Sequence, residues 1–466
     1  MIEATGGMES SRSALVDAGR TVLAPLAPPR RLFAVRPVDI LRGAIGLLVV
    51  ANLGRLPAFS TGGREAPILV NDLAVGTFVV AGVLASLSRR SFELDLVGLV
   101  ALAFAAIGAG SALTATVRFG LTPFELFVSL SYLARWVLYL GVYLVMVNVV
   151  SSRDVSRVWR ALESTMLAIA AFGIVQVVVL PGFAQRVYPD SRLYLDWDPQ
   201  GHRLVSTILE PNIAGAMLMS VLLVELSQIS VGARVPRWKP LVLFTALVLT
   251  LSRSAALGLV FGVGVILAVY GIPKRLLRVA GVAIVLALAT LPKLIAFAAA
   301  YGKFSLSGSA TGRIAAWTMG IRVFLDHPWF GVGFNTYGFV AERFYGILRM
   351  GAANYSTDGG LLFAAAMTGV AGLVALLWMF RLVVRRCAWI WRTKTVTAEH
   401  RGIAIGAVAS IVAVCVHSVF VNSLFTTFVM QIMWVLVGLT FAIARGASDL
   451  RSLGTPSLPG GAANPA

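Results

Sequence analysis

The chain has 466 residues, enough for two or three soluble domains, but 58% of them are hydrophobic, only 13% are charged, and the mean hydropathy is +0.85. A soluble chain this apolar could not cover its surface with polar groups, and apolar runs of roughly 17–25 residues, each able to cross about 30 Å of hydrocarbon, recur from residue 38 to residue 444. The composition implies an all-α polytopic membrane protein and excludes a soluble enzyme and a β-barrel, so the net charge of +18 speaks first about topology.

Residues 1–37 read as a polar cytoplasmic arm, with Arg30, Arg31 and Arg36 near the first span and no apolar stretch followed by a small-residue cleavage site. Spans are then expected at about 38–55, 67–87, 94–115, 123–150, 160–181, 208–230, 238–252, 254–272, 276–297, 358–380, 402–421 and 424–444. Nine of these helices fall within 38–297 and three within 358–444. Between them lies a large extracytoplasmic loop, 298–357, and residues 445–466 form a tail of disordered composition. Cys387 and Cys415 sit in or beside apolar segments and suggest neither a disulfide framework nor a thiolate metal site.

The stretch Pro240–Tyr270 is apolar except for Ser252, Arg253 and Ser254 at its middle. As one helix it would be roughly 45 Å long, too long for a single crossing without strong tilt. An Arg at the bilayer centre would cost at least about 2.5 kcal/mol, so two short helices with Arg253 at the membrane surface are favoured. Parity agrees with this choice. With twelve spans and both termini inside, the inner loops collect Arg89 and Arg90, Arg153 and Arg157, Arg234 and Arg237, Lys274 and Arg278, and Arg385 through Lys394. A single crossing would put the last two basic clusters outside.

That topology brings Arg203, Arg253, Arg313 and Arg322 to the non-cytoplasmic face, with His202, His327 and Asp358. Guanidinium groups are always charged and present a planar fork that matches phosphate oxygens, so several together suit a diphosphate at the membrane surface. Arginines such as Arg186, Arg192, Arg343 and Arg349 equally suit lipid head groups. Glu210, Pro211 and Asn212 begin an otherwise apolar helix, and Glu210 is expected to pair with Arg203 or Arg253. Within the large loop Ile314, Trp317, Ile321 and Phe324 recur at helical spacing, predicting an amphipathic helix from about 312 to 325 that ends at His327-Pro328. Asp72 and Arg135 fall inside apparent spans, where charges are functional candidates by default.

Four strings then resemble one family. TGR…W…HPWFGVGFNTYG, from Thr311 onward, resembles the signature loop of the O-antigen ligase and O-antigen polymerase superfamily. RLVSTILEPNIAG (203–215), LSRSAALGL (251–259) and DGGLLFAAAMTGVAGLVALL (358–377) resemble its Arg…Pro-Asn helix start, its Ser-Arg-Ser span and the helix that opens on a catalytic polar residue. His417…Asn422 is a looser match, and the resemblance covers roughly residues 200–440. It implies a glycosyltransferase resembling the GT-C class, in the bacterial cytoplasmic membrane, acting on polyprenyl-diphosphate-linked glycans at the outer face. Arg203 and Arg253 then correspond to diphosphate-binding arginines and Arg313 to the loop arginine, with Glu210 and Asn212 in support. Where ligase members open that helix with His-Asn, this chain has Asp358-Gly359, and an acidic residue there looks more like the polymerase-type members; a shifted alignment leaves His327 as the titrating group.

The chemistry needs no more than these groups. A sugar on a lipid diphosphate already carries a good leaving group, so the protein has to neutralise departing charge and accept a proton from the attacking hydroxyl. Asp358 is the candidate base, although an Asp before an apolar run is also a common helix N-cap. No nucleotide loop or metal-ligand spacing is present, so no cofactor or metal is expected. The expected partners are the lipid-linked glycan, the bilayer and other polysaccharide-assembly membrane proteins, with no nucleic acid. A transporter would show inverted repeats and charged broken helices near the midplane, whereas here the polar motifs gather at one face.

Overall fold

The computed structural model describes residues 35–56, 60–61, 64–65, 68–89, 92–187, 202–271, 306–346 and 357–454. The expected span at 276–297 and most of the N-terminal arm lie outside them. The described residues are almost all helical: α1 (Pro37–Gly46), α2 (Val70–Ser88), α3 (Leu96–Phe119), α4 (Pro123–Val149), α5 (Val155–Val179), α6 (Pro211–Ser230), α7 (Trp238–Leu249), α8 (Arg253–Tyr270), α9 (Leu306–Asp326), α10 (Tyr337–Tyr345), α11 (Gly360–Arg392), α12 (Ala398–His417) and α13 (Thr427–Gly454). Nine of these are long and apolar enough to cross a membrane, and α7 is a shorter apolar helix. Two pairs of two-residue strands, near residues 55–69, are the extent of β-structure among the described residues.

Helix ends follow the local chemistry. Thr122 and Glu125 form a capping box around Pro123 at the start of α4, Asp95 accepts from Gly98 N at 3.0 Å at the start of α3, and Thr397 caps α12. The first apolar segment, expected as one span over 38–55, is α-helical only to Gly46 and continues as 3-10 turns at Leu47–Val49 and Ala51–Gly54. Asn52 holds this turn by donating to Ile208 O at 2.6 Å. At the other end of the chain α13 runs to Gly454, beyond the expected limit of 444, and Arg445 fixes it by donating to Val147 O at 2.9 Å. The helix at 312–325 is also longer than its periodicity suggested, starting at Leu306 and ending at Asp326 before His327-Pro328.

Contacts fix the direction of each helix. At one end Arg36 meets Asp154 at 3.2 Å, Lys239 pairs with Glu163, Arg386 pairs with Asp95, and the rings of Tyr270 and Trp391 meet at 4.8 Å. At the other end Leu204 N donates to Leu249 O at 2.8 Å, Gly360 N donates to Ser418 O at 2.6 Å, and Arg343 pairs with Glu125 at 2.7 Å. The basic residues Arg153, Arg157, Arg234, Arg237, Arg385 and Arg392 therefore gather at the first end. Arg203, Arg253, Arg313 and Asp358 gather at the second.

Helix α6 is the most enclosed span, sandwiched between α8 and α12. Gly258 and Gly262 of α8, and Gly402 and Gly406 of α12, permit the close approach: a Cβ on Gly402 would lie 2.6 Å from Gln228 Cα, and one on Gly406 2.5 Å from Val224 Cα. Small residues at four-residue spacing let membrane helices pack backbone to backbone, where apolar side chains gain nothing over lipid. This sandwich carries Asn212, Ser252 and His417 to the same height. The two charges read from the sequence as lying inside spans pair with each other: Arg135 meets Asp72 at 2.9 Å, and Tyr139 donates to Asp72 at 2.9 Å.

Helix α11 is broken at Gly369, whose φ of 66° and ψ of −165° leave the helical region. The loop Pro328–Gly333 fills the break. Val332 N and Gly333 N donate to Ala366 O (2.9 Å) and Met367 O (3.0 Å), and Val370 N donates to Pro328 O at 2.7 Å. From α3, Ser111 donates to Met367 O at 2.8 Å and also to Phe330 O. Carbonyl and amide groups that an unbroken helix would pair with each other are satisfied by the loop instead, as an apolar surrounding requires.

Candidate functional site

Two polar clusters occupy the end of the bundle opposite the basic loops. The first is built on α6, the α7–α8 turn and the segment before α6, which carries a 3-10 turn at Ser206–Ile208. Arg203 is buried; its Nε donates to Thr250 O at 2.9 Å and its Nη2 to Asn212 Oδ1 at 3.2 Å. Ser252 donates to the same Asn212 oxygen at 3.0 Å and lies 3.2 Å from the Ser254 hydroxyl. Glu210 is the N-cap of α6, accepting from Asn212 N at 3.1 Å and from Ile213 N, and it accepts from Asn212 Nδ2 at 2.9 Å. Its carboxylate is thus hydrogen-bonded to its own helix, and the charge of Arg203, the partner that the sequence suggested, acts on it electrostatically.

Three non-glycine residues with positive φ turn the chain into this cluster: Ser206 (φ 49°) between Arg203 and Glu210, Leu209 (φ 59°) just before Glu210, and Leu251 (φ 54°) just before Ser252. Such a backbone is costly for a bulky residue and points to a constraint beyond packing. The Pro240–Tyr270 stretch does divide into two helices, with Ser252 as the N-cap of α8 accepting from Ala255 N at 3.3 Å. The two halves run in opposite directions: Lys239 reaches Glu163 at the basic end, and Tyr270 returns to Ser227 there. Arg253, the first residue of α8, is exposed beside this cap. The positive end of the helix macrodipole reinforces its charge.

The second cluster is built on α9, the start of α11 and the turn after α12. Arg313 Nε lies 3.9 Å from Asp358 Oδ2, and its guanidinium sits 5.9 Å from the ring centre of Phe420. Trp317 Nε1 donates to Val419 O at 3.0 Å, and Thr357 Oγ1 donates to Ala316 O at 2.7 Å, so α9 is tied to both neighbours. Asp358 is not a helix cap. Gly359, at φ 100°, holds the N-cap position of α11 without a side-chain hydrogen bond, and Asp358 is left facing Arg313. Burial raises the carboxyl pKa of Asp358 above the ordinary range, and Arg313 partly opposes that rise.

The turn at His417–Thr426 joins the two clusters. Ser418 O accepts from Gly360 N and Val419 O accepts from Trp317, while the His417 ring lies against the Asn212 backbone. His327 lies elsewhere. It packs on Phe119 at 5.1 Å and near Tyr345, at the opposite end of α9 from Arg313. Fourteen residues of helix separate the two, which corresponds to about 21 Å. Burial, followed by the charge of Arg118, lowers its pKa. The structure thus brings Arg203, Asn212, Arg253, Arg313 and Asp358 to one region and leaves His327 outside it. Arg322, also expected on this face, stacks on Tyr345 at 5.5 Å, beside His327.

Sequence reasoning missed one supporting residue whose signal was present. Gln176, alone in an apolar stretch, donates to Arg203 O at 3.4 Å and accepts from Val205 N and Ser206 N at 3.0 and 3.2 Å. It orients the segment that delivers Arg203, as an isolated amide within a span would suggest. Below the turn, Leu424 and Phe425 form one wall of an apolar groove with Trp136, Phe380, Met433 and Trp434, with a cavity volume of about 50 Å³. No group of His, Cys, Asp or Glu among the described residues has the arrangement of a metal site.

Residues 241–377 match the family model described as O-antigen ligase, a family of glycan-transferring membrane enzymes. The superfamily resemblance drawn from the motifs therefore holds over that stretch, which includes Arg253, Arg313 and Asp358; Arg203, Asn212 and His417 lie outside it. No curated protein matches the chain.

Proposed function

We propose that this chain is a membrane glycosyltransferase that polymerises polyprenyl-diphosphate-linked oligosaccharide at the outer face of the bacterial cytoplasmic membrane. The observation that carries the proposal is the convergence of Arg203, Arg253 and Asn212 with the Arg313–Asp358 pair at the end of the bundle away from the basic loops. By the positive-inside rule that end is the outer one, and both termini are cytoplasmic. The family match at 241–377 supports glycan transfer as the reaction class.

The donor diphosphate lies against Arg253 and the start of α8, with Arg203 behind it. The acceptor hydroxyl gives its proton to Asp358 as its oxygen attacks the anomeric carbon. The bond from that carbon to the diphosphate oxygen breaks, and the arginines neutralise the charge that appears there. A single displacement inverts the anomeric centre. Burial helps Asp358 in this role, because a carboxylate with a raised pKa is a stronger base. The apolar groove beneath Leu424 and Phe425 suits the polyprenyl chain.

The second reading is transfer of finished glycan to a lipid or protein acceptor, as O-antigen ligases perform. Asp358-Gly359 favours the polymerase. A ligase-type His-Asn pair and this Asp-Gly pair both put, in second place, a residue that enters the positive-φ region readily, which supports reading the two pairs in one register, with the difference in the base. The glycan profile of a deletion strain separates the readings: single repeats signify a lost polymerase, unattached polymer a lost ligase. In the complemented strain, Arg253→Ala and Asp358→Ala should each abolish polymer at normal protein levels. Full-length polymer from either variant would remove that residue from the mechanism.

A further inference from the structure

The segment from α9 to α10 leaves the outer ends of its neighbours and sinks between them. Ser111 of α3, which donates to Phe330 O, lies eight residues or about 12 Å inside the helix end at Phe119. Val370 N of α11 donates to Pro328 O at 2.7 Å, beside a break that is nine residues or about 14 Å from the start of that helix. Ser129, six residues or about 9 Å inside α4, donates to Phe334 O. Three helices thus agree on the depth of residues 328–334. On either side the segment is level with the helix ends again: Arg313 faces Asp358 ahead of α11, and Arg343 donates to Gly120 O at 3.1 Å and pairs with Glu125. Helix α3 is about 36 Å long against about 30 Å of hydrocarbon, so even with all of the excess at this end Ser111 lies about 6 Å within the apolar layer.

At that depth Trp329 and Phe330 are 72% and 62% exposed. They continue a stripe on α9 formed by Ile314, Ile321 and Leu325, which repeat at spacings of seven and four and are exposed as well. The opposite face of α9 packs on the bundle: Val323 is fully buried, and a Cβ on Gly320 would stand 2.6 Å from Thr357 Oγ1. The surfaces on both sides of the loop say what covers the stripe. Leu113 and Val117 of α3, and Val370 and Val374 of α11, are exposed within helices of membrane-crossing length, so the apolar surface runs unbroken from span to loop. The loop backbone is hydrogen-bonded to α3 and α11, the condition under which non-helical chain is tolerated in hydrocarbon. Arg118 and Arg322 stand exposed beside the stripe, where guanidinium groups meet phosphate head groups.

We infer that the segment from α9 to α10 is a membrane-dipping arm whose partner is the outer leaflet itself: α9 lies on lipid along its Ile314–Leu325 stripe, and Trp329 and Phe330 insert among the acyl chains. Part of the stretch 298–357, which the sequence marks as an extracytoplasmic loop, is thus inside the membrane. Lipid then holds Arg313, on the same helix, at the height of the head groups. The inference rests on the span assignment and is independent of the glycan-transfer reading, which the Arg253→Ala and Asp358→Ala variants test separately.

The test uses the full-length chain in nanodiscs of phosphatidylethanolamine and phosphatidylglycerol. In a background with Cys387→Ala and Cys415→Ala, a nitroxide is attached at Leu325→Cys or Trp329→Cys, and its collisions with oxygen and with a water-soluble nickel complex are compared. Leu113→Cys is the lipid reference and Ser448→Cys, exposed near the other end of the bundle, the water reference. The labels at 325 and 329 should follow Leu113→Cys, with oxygen favoured over nickel by roughly threefold or more relative to Ser448→Cys, because oxygen concentrates in hydrocarbon and the complex stays in water. A nickel response like that of Ser448→Cys overturns the inference, since the arm would then stand in water. Exclusion of both reagents overturns it too, because protein, a second copy or another partner, would then cover the stripe. Should the cysteine-free background fail to fold, brominated lipid decides: the fluorescence that Trp329→Leu removes should be strongly quenched in the unsubstituted chain, and an unquenched contribution refutes the insertion.

Discussion

Substituting Gly369 by Ala tests the interlock between the broken helix and the loop that fills it. At φ 66° and ψ −165°, Gly369 occupies a region that only glycine enters freely, so any side chain carries about 1–3 kcal/mol of backbone strain. A Cβ there would also stand 2.2 Å from Trp329 O and 2.5 Å from Phe330 N. Both are backbone atoms and cannot swing aside, so the loop has to withdraw. Withdrawal breaks the bonds from Val332 N, Gly333 N and Val370 N, and at about 0.5–1.5 kcal/mol each they add a further ~2–4 kcal/mol. A loss of about 3 kcal/mol or more is therefore expected, well beyond the roughly 1 kcal/mol of a typical substitution.

The comparison variant is Gly110→Ala on α3, where an added Cβ meets nothing within 4 Å. It should be neutral or stabilise the protein by up to about 1 kcal/mol, because alanine is the better helix former. Both can be measured by unfolding in mixed micelles with a denaturing detergent, alongside glycan transfer. Gly369→Ala should unfold early and transfer poorly, because the displaced loop also carries the end of α9. If the two variants have the same stability within about 0.5 kcal/mol, the interlock does not contribute as argued.

A second prediction concerns pH. The raised pKa of Asp358 means that the active carboxylate is lost, and kcat falls, as pH drops through a value above the usual carboxylate range. Removing the opposing charge with Arg313→Gln should move that acid limb to still higher pH, while His327→Gln should leave it in place; a limb that follows His327 instead would transfer the role of base to that residue. A third prediction concerns the Asp72–Arg135 pair, whose side chains are 9% and 16% exposed. Arg135→Met leaves a buried carboxylate unpaired and should cost about 3–5 kcal/mol, most of it recovered in the Asp72→Asn, Arg135→Met double variant. Independent, additive losses would show that the pair is not coupled.

Much of this protein was legible before any coordinates. Hydrophobic runs of span length gave the polytopic class, because the cost of exposing backbone to lipid leaves few structures other than a helix. The Ser252-Arg253-Ser254 interruption located a hairpin tip, because a guanidinium cannot rest cheaply at the bilayer centre. The same rules placed Arg203, Arg313 and Asp358 at the end shared by Arg253. They also placed His327 there, but a face is not a site: His327 follows the end of the helix that carries Arg313, and the length of that helix keeps them apart.

What a linear pattern could not give was lateral arrangement around the bundle. Hydropathy records how deep a residue sits, whereas which helices touch depends on where small residues such as Gly402 and Gly406 let backbones meet. For that reason the cap that Glu210 makes on its own helix was not foreseen beside its arginine neighbour, and Asp358 was read as a possible cap when Gly359 takes that position. Gln176 gained its role only once the segment Arg203–Ser206 had folded against it. Sequence determined the height of each polar group in the membrane, and tertiary packing decided its neighbours, because neighbours are chosen by the shapes of surfaces distant in the chain.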